Sequence, residues 1–304
     1  MPDTHAIPVE HARAAFLDAC ALDVTTPKPG NVSTQSPGHG MHAAQFLASA
    51  DASLDALFAR GERVGQRILD AVTRTREAVG CNTNLGIVLL VAPLAAALDE
   101  TGEPPVSAQA WRAAVGDELS RLDVEDARLA YRAIALANPG GLGDAPEQSV
   151  RAPPTIGLRD AMRLASERDS IARQYANGFA DLFDTGLAAY FEAYFEASRP
   201  TPEPAPADPG EIAMLNVFLT FLGGWPDSHI VRKHGLALAQ SVTLVAREQR
   251  ARWRKARSAA RRSASDPQLD AWDAELKARA INPGTSADLA VATLFLARCI
   301  EGRG

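Results

Sequence analysis

The chain has 304 residues, 46% of them apolar and 22% charged, and a formal net charge of −6. It is long enough for a large core, as one big domain or two small ones, and its acidic balance argues against a chain built as a whole to bind nucleic acid. Cys20, Cys81 and Cys299 are far apart and show no CxxC spacing, so neither a disulfide framework nor a zinc site is suggested.

The start, MPDTHAIPVEH, has no basic head and no apolar run, which is unlike a signal peptide. No apolar run is long enough to cross a bilayer. The expectation is a soluble cytoplasmic protein. Helical spacing then dominates. Val9 to Leu22 places Val9, Ala12, Phe16 and Ala19 on one face. A Pro- and Gly-rich loop, Thr25 to His39, precedes helices predicted over Ala43–Phe58 and Glu62–Val79.

Gly80-Cys81-Asn82-Thr83-Asn84-Leu85-Gly86 is small or polar apart from Leu85, while Ile87 to Leu98 is apolar except for Pro93. A helix that is apolar all round is buried on every side. Its first N–H groups then lie deep in the protein and need Asn82, Thr83, Asn84 or a bound phosphate. Pro93 removes one helical hydrogen bond and predicts a kink.

Ser107 and Asp123 read as caps of helices reaching about Leu119 and Ala137. Residues 138–157 are too long and Gly/Pro-rich for a mere connector. Helices resume from Leu158 to about Ala197. Prolines at 200, 202, 204, 206 and 209 mark a stiff surface excursion over residues 199–211 within one helical body. The turn Gly223 to His229 leads to one long helix ending near Ala260, Asp266-Pro267 opens another to about Ala280, and Ile281 to Asp288 opens the last.

Five loops thus share one style, small residues and a polar head before a helix: Thr25–Met41, Gly80–Gly86, Pro139–Glu147, Gly223–Lys233 and Asn282–Asp288. Gathered around one cleft, such loops can bind polyphosphate while acids hold magnesium. Lys28, held between two prolines, suits a phosphate contact; the alternative is a solvated lysine. His39 is a candidate general acid or phosphate donor. Asp227, beside Arg232 and Lys233, is either a metal-holding carboxylate or an N-cap. Asp288 lies three residues after Thr285, and capping explains it equally well. Asp144 and Glu147 read as solvated acids. Residues 247–262 hold eight basic residues against one acid; the preferred reading is a solvated helix face rather than a nucleic-acid stripe. No Walker A loop, GxSxG or HExxH is present.

With these loops in hand, the chain resembles the triphosphoribosyl-dephospho-CoA synthase family from about residue 20 to 300. The resemblance rests on TPKPGNV (26–32) with GHGM after it, GCNTNLG (80–86), PDSHIVRKHG (226–235) and INPGTSADLAVATLFL (281–296). It implies an all-α, multi-helix bundle around the buried central helix, in a single domain over 1–304. It also implies an enzyme that joins ATP to 3′-dephospho-CoA with release of adenine, with magnesium present. Implied ligand contacts are Lys28, Gly30, Asn31, Asn82, Thr83, Asn84, Gly86, Arg232, Lys233 and Ser286. Asp227, Asp288 and His39 are the candidate catalytic groups, with Asp227 and Asp288 also the candidate metal ligands. The implied partners are a nucleotide and a CoA-like or other cofactor precursor, without nucleic acid or membrane; a homodimer is left open.

The chain also departs from the family pattern. His39-Gly40-Met41 stands where the family has H-x-D-M, Asn84-Leu85 replaces a His-Lys pair, and Pro226-Asp227-Ser228-His229 replaces a G-D-T-N turn. These changes mark a divergent member. The alternatives are a paralogous transferase for another cofactor precursor, as in C1-carrier metabolism, and a non-catalytic nucleotide-binding protein.

Overall fold

A computed structural model describes residues 8–99, 107–137, 152–199, 208–260 and 266–301. The described residues form α1 (Val9–Thr25), α2 (Ala43–Leu57), α3 (Val64–Val79), α4 (Leu85–Asp99), α5 (Ala108–Arg121), α6 (Val124–Ala137), α7 (Leu158–Ala165) and α8 (Ser170–Asn177). A π-helical turn, Asp181–Gly186, leads into α9 (Leu187–Ala197). Then come α10 (Pro209–Gly224), α11 (Ser228–His234), α12 (Leu236–Ala260), α13 (Pro267–Ala278) and α14 (Gly284–Glu301). No β-strand occurs among the described residues; a lone bridge pairs Gly38 with Met41.

The apolar run after Gly86 becomes α4, with every residue from Ile87 to Leu98 buried. It packs against α2, α3, α5, α8 and α14. Pro93 lies inside α4 and has no N–H for the Leu89 carbonyl one turn back. The Tyr175 hydroxyl of α8 donates to that carbonyl at 2.7 Å. One turn on, Trp111 of α5 donates its indole N–H to the Leu94 carbonyl at 3.0 Å. A buried proline is tolerated because a neighbouring helix satisfies the group it strands. A second axis, α14, packs against α1, α4, α9 and α10. Phe295 of α14 meets Phe16, Phe58 and Trp111 edge-on, with ring centroids 5.6–6.4 Å apart. These two apolar helices fix where the loops before them lie.

Ser107, Asp123 and Asp266 cap as expected: Ser107 Oγ accepts from Ala110 N–H, an Asp123 carboxylate oxygen from Asp126 N–H, and Asp266 from Gln268 and Leu269 N–H. The first and last of three boundaries differ from the sequence expectation, while the middle one divides a stretch read as several helices. The long helix after His229 is broken at Gly235, whose φ of 87° and ψ of 163° leave the helical region. The stretch 158–197 divides because Asp169 caps α8 and Gly178, at φ 70°, ends it in a left-handed turn. The Pro-rich stretch 199–211 already contains the start of α10, where Asp208 accepts from Gly210 N–H and Pro209 takes the first helical position. Residues 200–207 lie outside the described residues, as do Asp144 and Glu147 of the second loop. No described helix is long and apolar enough to cross a membrane.

Four arginines of the basic stretch in α12 are engaged by neighbouring elements. Arg247 donates to the Gly223 carbonyl, Arg250 to Asn216, Arg252 to Asp266 and Arg254 to Glu192. Trp253, in its middle, is buried. These four arginines pin α12 to α9, α10 and α13.

Candidate functional site

Four of the five loops meet at the starts of α4, α8, α11 and α14. Their junctions are short and polar. Asp227, before α11, accepts from His229 and Ile230 N–H through one oxygen, at 2.9 and 3.2 Å. Its other oxygen accepts from the backbone N–H and the hydroxyl of Ser286 on α14, both at 2.7 Å. Thr285 Oγ1 accepts from His229 N–H at 3.2 Å. Ser170 N–H, at the start of α8, donates to Ser228 Oγ at 2.8 Å. Asp169 caps α8 through one oxygen and receives Arg232 of α11 through the other at 2.7 Å.

Asp288 stands at the centre. A Cβ built on Gly86 would overlap Asp288 Oδ2 and press on Ile171 of α8. The missing side chain at Gly86 therefore makes the space that the carboxylate fills, against the first turn of α4. The residue keeps some solvent-accessible surface although protein largely encloses the carboxylate. Burial first, then Asp23 and Asp227, raise its pKa well above the ordinary carboxylate value, with Arg232 opposing them. Asp227 is also shifted up by burial, against the pull of its Ser286 hydrogen bonds.

The first loop wraps over the start of α14. Gly30, at φ 80°, presses against Pro283 and the Ile281 carbonyl, where a side chain would not fit. Asn31 donates to Asn282 at 3.1 Å. His39, itself at φ 57°, lies 2.9 Å from the Gly30 carbonyl through Nε2. Asp273 of α13 accepts from Gly30 N–H and Ser36 Oγ at 2.8 Å each, anchoring the loop.

Several candidate residues face inward instead. Lys28 is buried: its ammonium donates to the Asp23 and Thr26 carbonyls and pairs with the Asp23 carboxylate at 3.1 Å. The proline-flanked lysine is thus a brace within its own loop. Burial lowers its pKa and raises that of Asp23, each opposed by the other's charge. Asn82 caps α4, accepting from Leu85 N–H at 3.1 Å. Thr83 bonds the Ser49 hydroxyl of α2, and Asn84 donates to the Ser49 carbonyl and Ser53 Oγ at 3.3 and 3.4 Å. Leu85 is in the core. Lys233 is exposed.

His229, Asp23 and Asp169 border the cleft without having been singled out as site candidates by spacing. His229 was visible only as part of a turn, and Asp169 lay unmarked inside the stretch read as helical. Burial, aided by Lys233, Arg232 and His39, lowers the His229 pKa to about 3, so the ring is neutral at neutral pH. Four buried polar atoms here have no hydrogen-bond partner: Thr26 Oγ1, Asn31 Oδ1, His229 Nε2 and Arg232 Nε. Such groups are costly unless something fills the space beside them.

The described residues of the cleft do not make a protein cage for a metal ion. Both Asp227 oxygens are taken by four donors, Asp169 by a cap and an arginine, and Asp23 by Lys28. No group of three or more His, Cys, Asp or Glu suited to a metal occurs among the described residues. Asp288 is the cleft carboxylate left with neither a cap nor an ion pair to serve.

Fold and cleft together define a class: an all-helical protein that gathers helix starts and unpartnered polar groups around one enclosed carboxylate. Such a site is suited to an anionic or hydroxyl-bearing ligand. The chain belongs to the ATP:dephospho-CoA triphosphoribosyl transferase (CitG) family, whose model matches residues 9–304. It is accordingly a transferase of the triphosphoribosyl-dephospho-CoA synthase type. None of the curated proteins matches the chain at a significant level. A crystal structure of a candidate triphosphoribosyl-dephospho-CoA synthase from Archaeoglobus fulgidus shares its fold, with a TM-score of 0.62 and 24% identity. The match covers 84% of this chain and 99% of the other.

Proposed function

We propose that the cleft around Asp288 transfers the triphosphoribosyl group of ATP to the 2′-hydroxyl of 3′-dephospho-CoA. The bond between the ribose anomeric carbon and adenine breaks with its electron pair going to adenine, which takes up a proton; the acceptor oxygen bonds to that carbon, and the hydroxyl proton leaves to a base. Asp288 is that base. Its enclosed position and acidic neighbours raise its proton affinity above that of an ordinary carboxylate, which makes it the stronger base. Asp227 acts through others: by holding Ser286 and the start of α11 it fixes Asp288, two residues further on, and presents His229 and Arg232. Magnesium enters as the counter-ion of the triphosphate, since the cleft carboxylates other than Asp288 are engaged within the protein. The observation that carries the reading is the enclosed, uncommitted carboxylate of Asp288 beside four unpartnered polar atoms, in a chain of this family.

The test is adenine release. The protein with ATP, magnesium and dephospho-CoA should free adenine, and omitting dephospho-CoA should stop it. Binding of ATP without adenine release in the complete mixture would overturn the assignment. A second reading keeps ATP as donor and changes the acceptor. It is favoured by Asn84 and Leu85, which replace a polar pair of the family pattern and turn into the protein. Adenine release with another cofactor precursor, and none with dephospho-CoA, would select it.

A further inference from the structure

His229 and Arg232 are three residues apart on α11, the spacing that places two side chains on one helix face. Each keeps one buried nitrogen without a partner, Nε2 of His229 and Nε of Arg232. The Arg232 guanidinium is not loose: its Nη1 is fixed on Asp169 at 2.7 Å, which leaves the Nε–H donor pointing elsewhere. The His229 backbone is held as well, its N–H donating to both Asp227 and Thr285. Its Nδ1 lies beside Gly284, in the first turn of α14, where helix N–H groups lack intrahelical partners. The neutral ring carries its single proton on either nitrogen, and the tautomer protonated at Nε2 makes that nitrogen a donor. Both free nitrogens are then donors, buried and without a partner.

We infer that His229 Nε2 and Arg232 Nε form a paired donor site for a phosphate oxygen of the bound ligand, with His229 the residue that sets ligand preference in this chain. An oxyanion accepts both donors at once, which a single water or hydroxyl does less well. The neutral imidazole adds a directed hydrogen bond without adding charge. This matters because Arg232 and Lys28, the buried cations here, are already paired with carboxylates. The inference rests on the proposed reading of the cleft. Two ligands can supply the phosphate oxygen: the triphosphate of ATP and the diphosphate of dephospho-CoA.

Calorimetric titration of the full-length protein with magnesium-ATP, and separately with dephospho-CoA, distinguishes them. His229→Leu should weaken one of the two ligands by about tenfold, the value of one buried hydrogen bond to a charged group. It should leave the other ligand within about twofold. His229→Gln, which keeps an N–H donor, should recover most of the loss, a rescue that a packing role for the ring would not produce. Thermal unfolding of both variants at neutral pH reports that the fold is kept. Equal affinities of wild type and His229→Leu for both ligands would overturn the inference while leaving the proposed function standing. Failure of wild type to bind either ligand would overturn the reading of the cleft, and this inference with it.

Discussion

Gly86 and Asp288 occupy one another's space: a side chain on Gly86 would coincide with the Asp288 carboxylate. A glycine in the first turn of a buried helix is otherwise a poor choice, since alanine favours a helix by about 1 kcal/mol. Gly86→Ala should therefore show no such gain. The added methyl must displace Asp288 or the start of α4, and adenine release should fall by about 100-fold or more, as expected for a misplaced catalytic group. A Gly86→Ala protein with wild-type turnover would show that Asp288 need not sit there.

Asp288→Asn separates function from stability. The carboxylate is enclosed and faces Asp23, Asp227 and Asp169, so its charge is a burden on the folded state. The neutral amide should leave the unfolding temperature unchanged or higher at neutral pH. Adenine release should drop by two or more orders of magnitude, typical for loss of a general base. Scanning calorimetry and the adenine assay on the same preparation check both halves.

Asp227 predicts the opposite pattern. Four donors converge on its two oxygens in a buried setting. Asp227→Ala strands them and removes a cap, at a cost of about 2–4 kcal/mol. Urea unfolding should show this loss together with reduced activity. Full stability in the variant would show that the junction between α11 and α14 is held by other contacts.

His229 gives a pH dependence whose sign follows from its environment. Its pKa falls from 6.5 to about 3 on folding, chiefly through burial. The unfolded chain therefore binds a proton that the folded protein refuses. Stability is lost as pH drops from about 6.5 towards about 3, by on the order of 5 kcal/mol in total, with no further loss from this group below that. His229→Gln cannot take up that proton. Compared with wild type, it should gain in relative stability between pH 7 and pH 4 in urea titrations. A constant difference across that range would show that the ring is not buried neutral.

Lys28 and Asp23 form a buried pair. Lys28→Met leaves Asp23 uncompensated and should cost about 3–5 kcal/mol. Adding Asp23→Asn should recover part of that loss, giving a coupling energy above about 1 kcal/mol in a double-mutant cycle. Strict additivity would argue against the pair.

The apolar run Ile87–Leu98 and the periodicity of its neighbours already determined a helical protein around a buried central helix, because local hydrophobic pattern decides which segments are helical and which must be covered. The caps at Ser107, Asp123 and Asp266 were equally legible, since a cap lies within three residues of the groups it serves. The same local logic misjudged Gly235, where a glycine that chain continuity alone would tolerate instead bends the path between α11 and α12. The family could also be read from four ordered motifs. What sequence could not assign was the direction of each polar side chain. Lys28 and Asp227 looked available for phosphate or metal, yet one braces its own loop and the other joins two helix starts. Asp169, His229 and the fit of Asp288 against Gly86 depend on partners 56 to 202 positions away along the chain, so only packing reveals them. Burial then sets their chemistry. It raises Asp288 and lowers His229 because a charge taken from water must find a partner, and tertiary structure alone determines whether one is there.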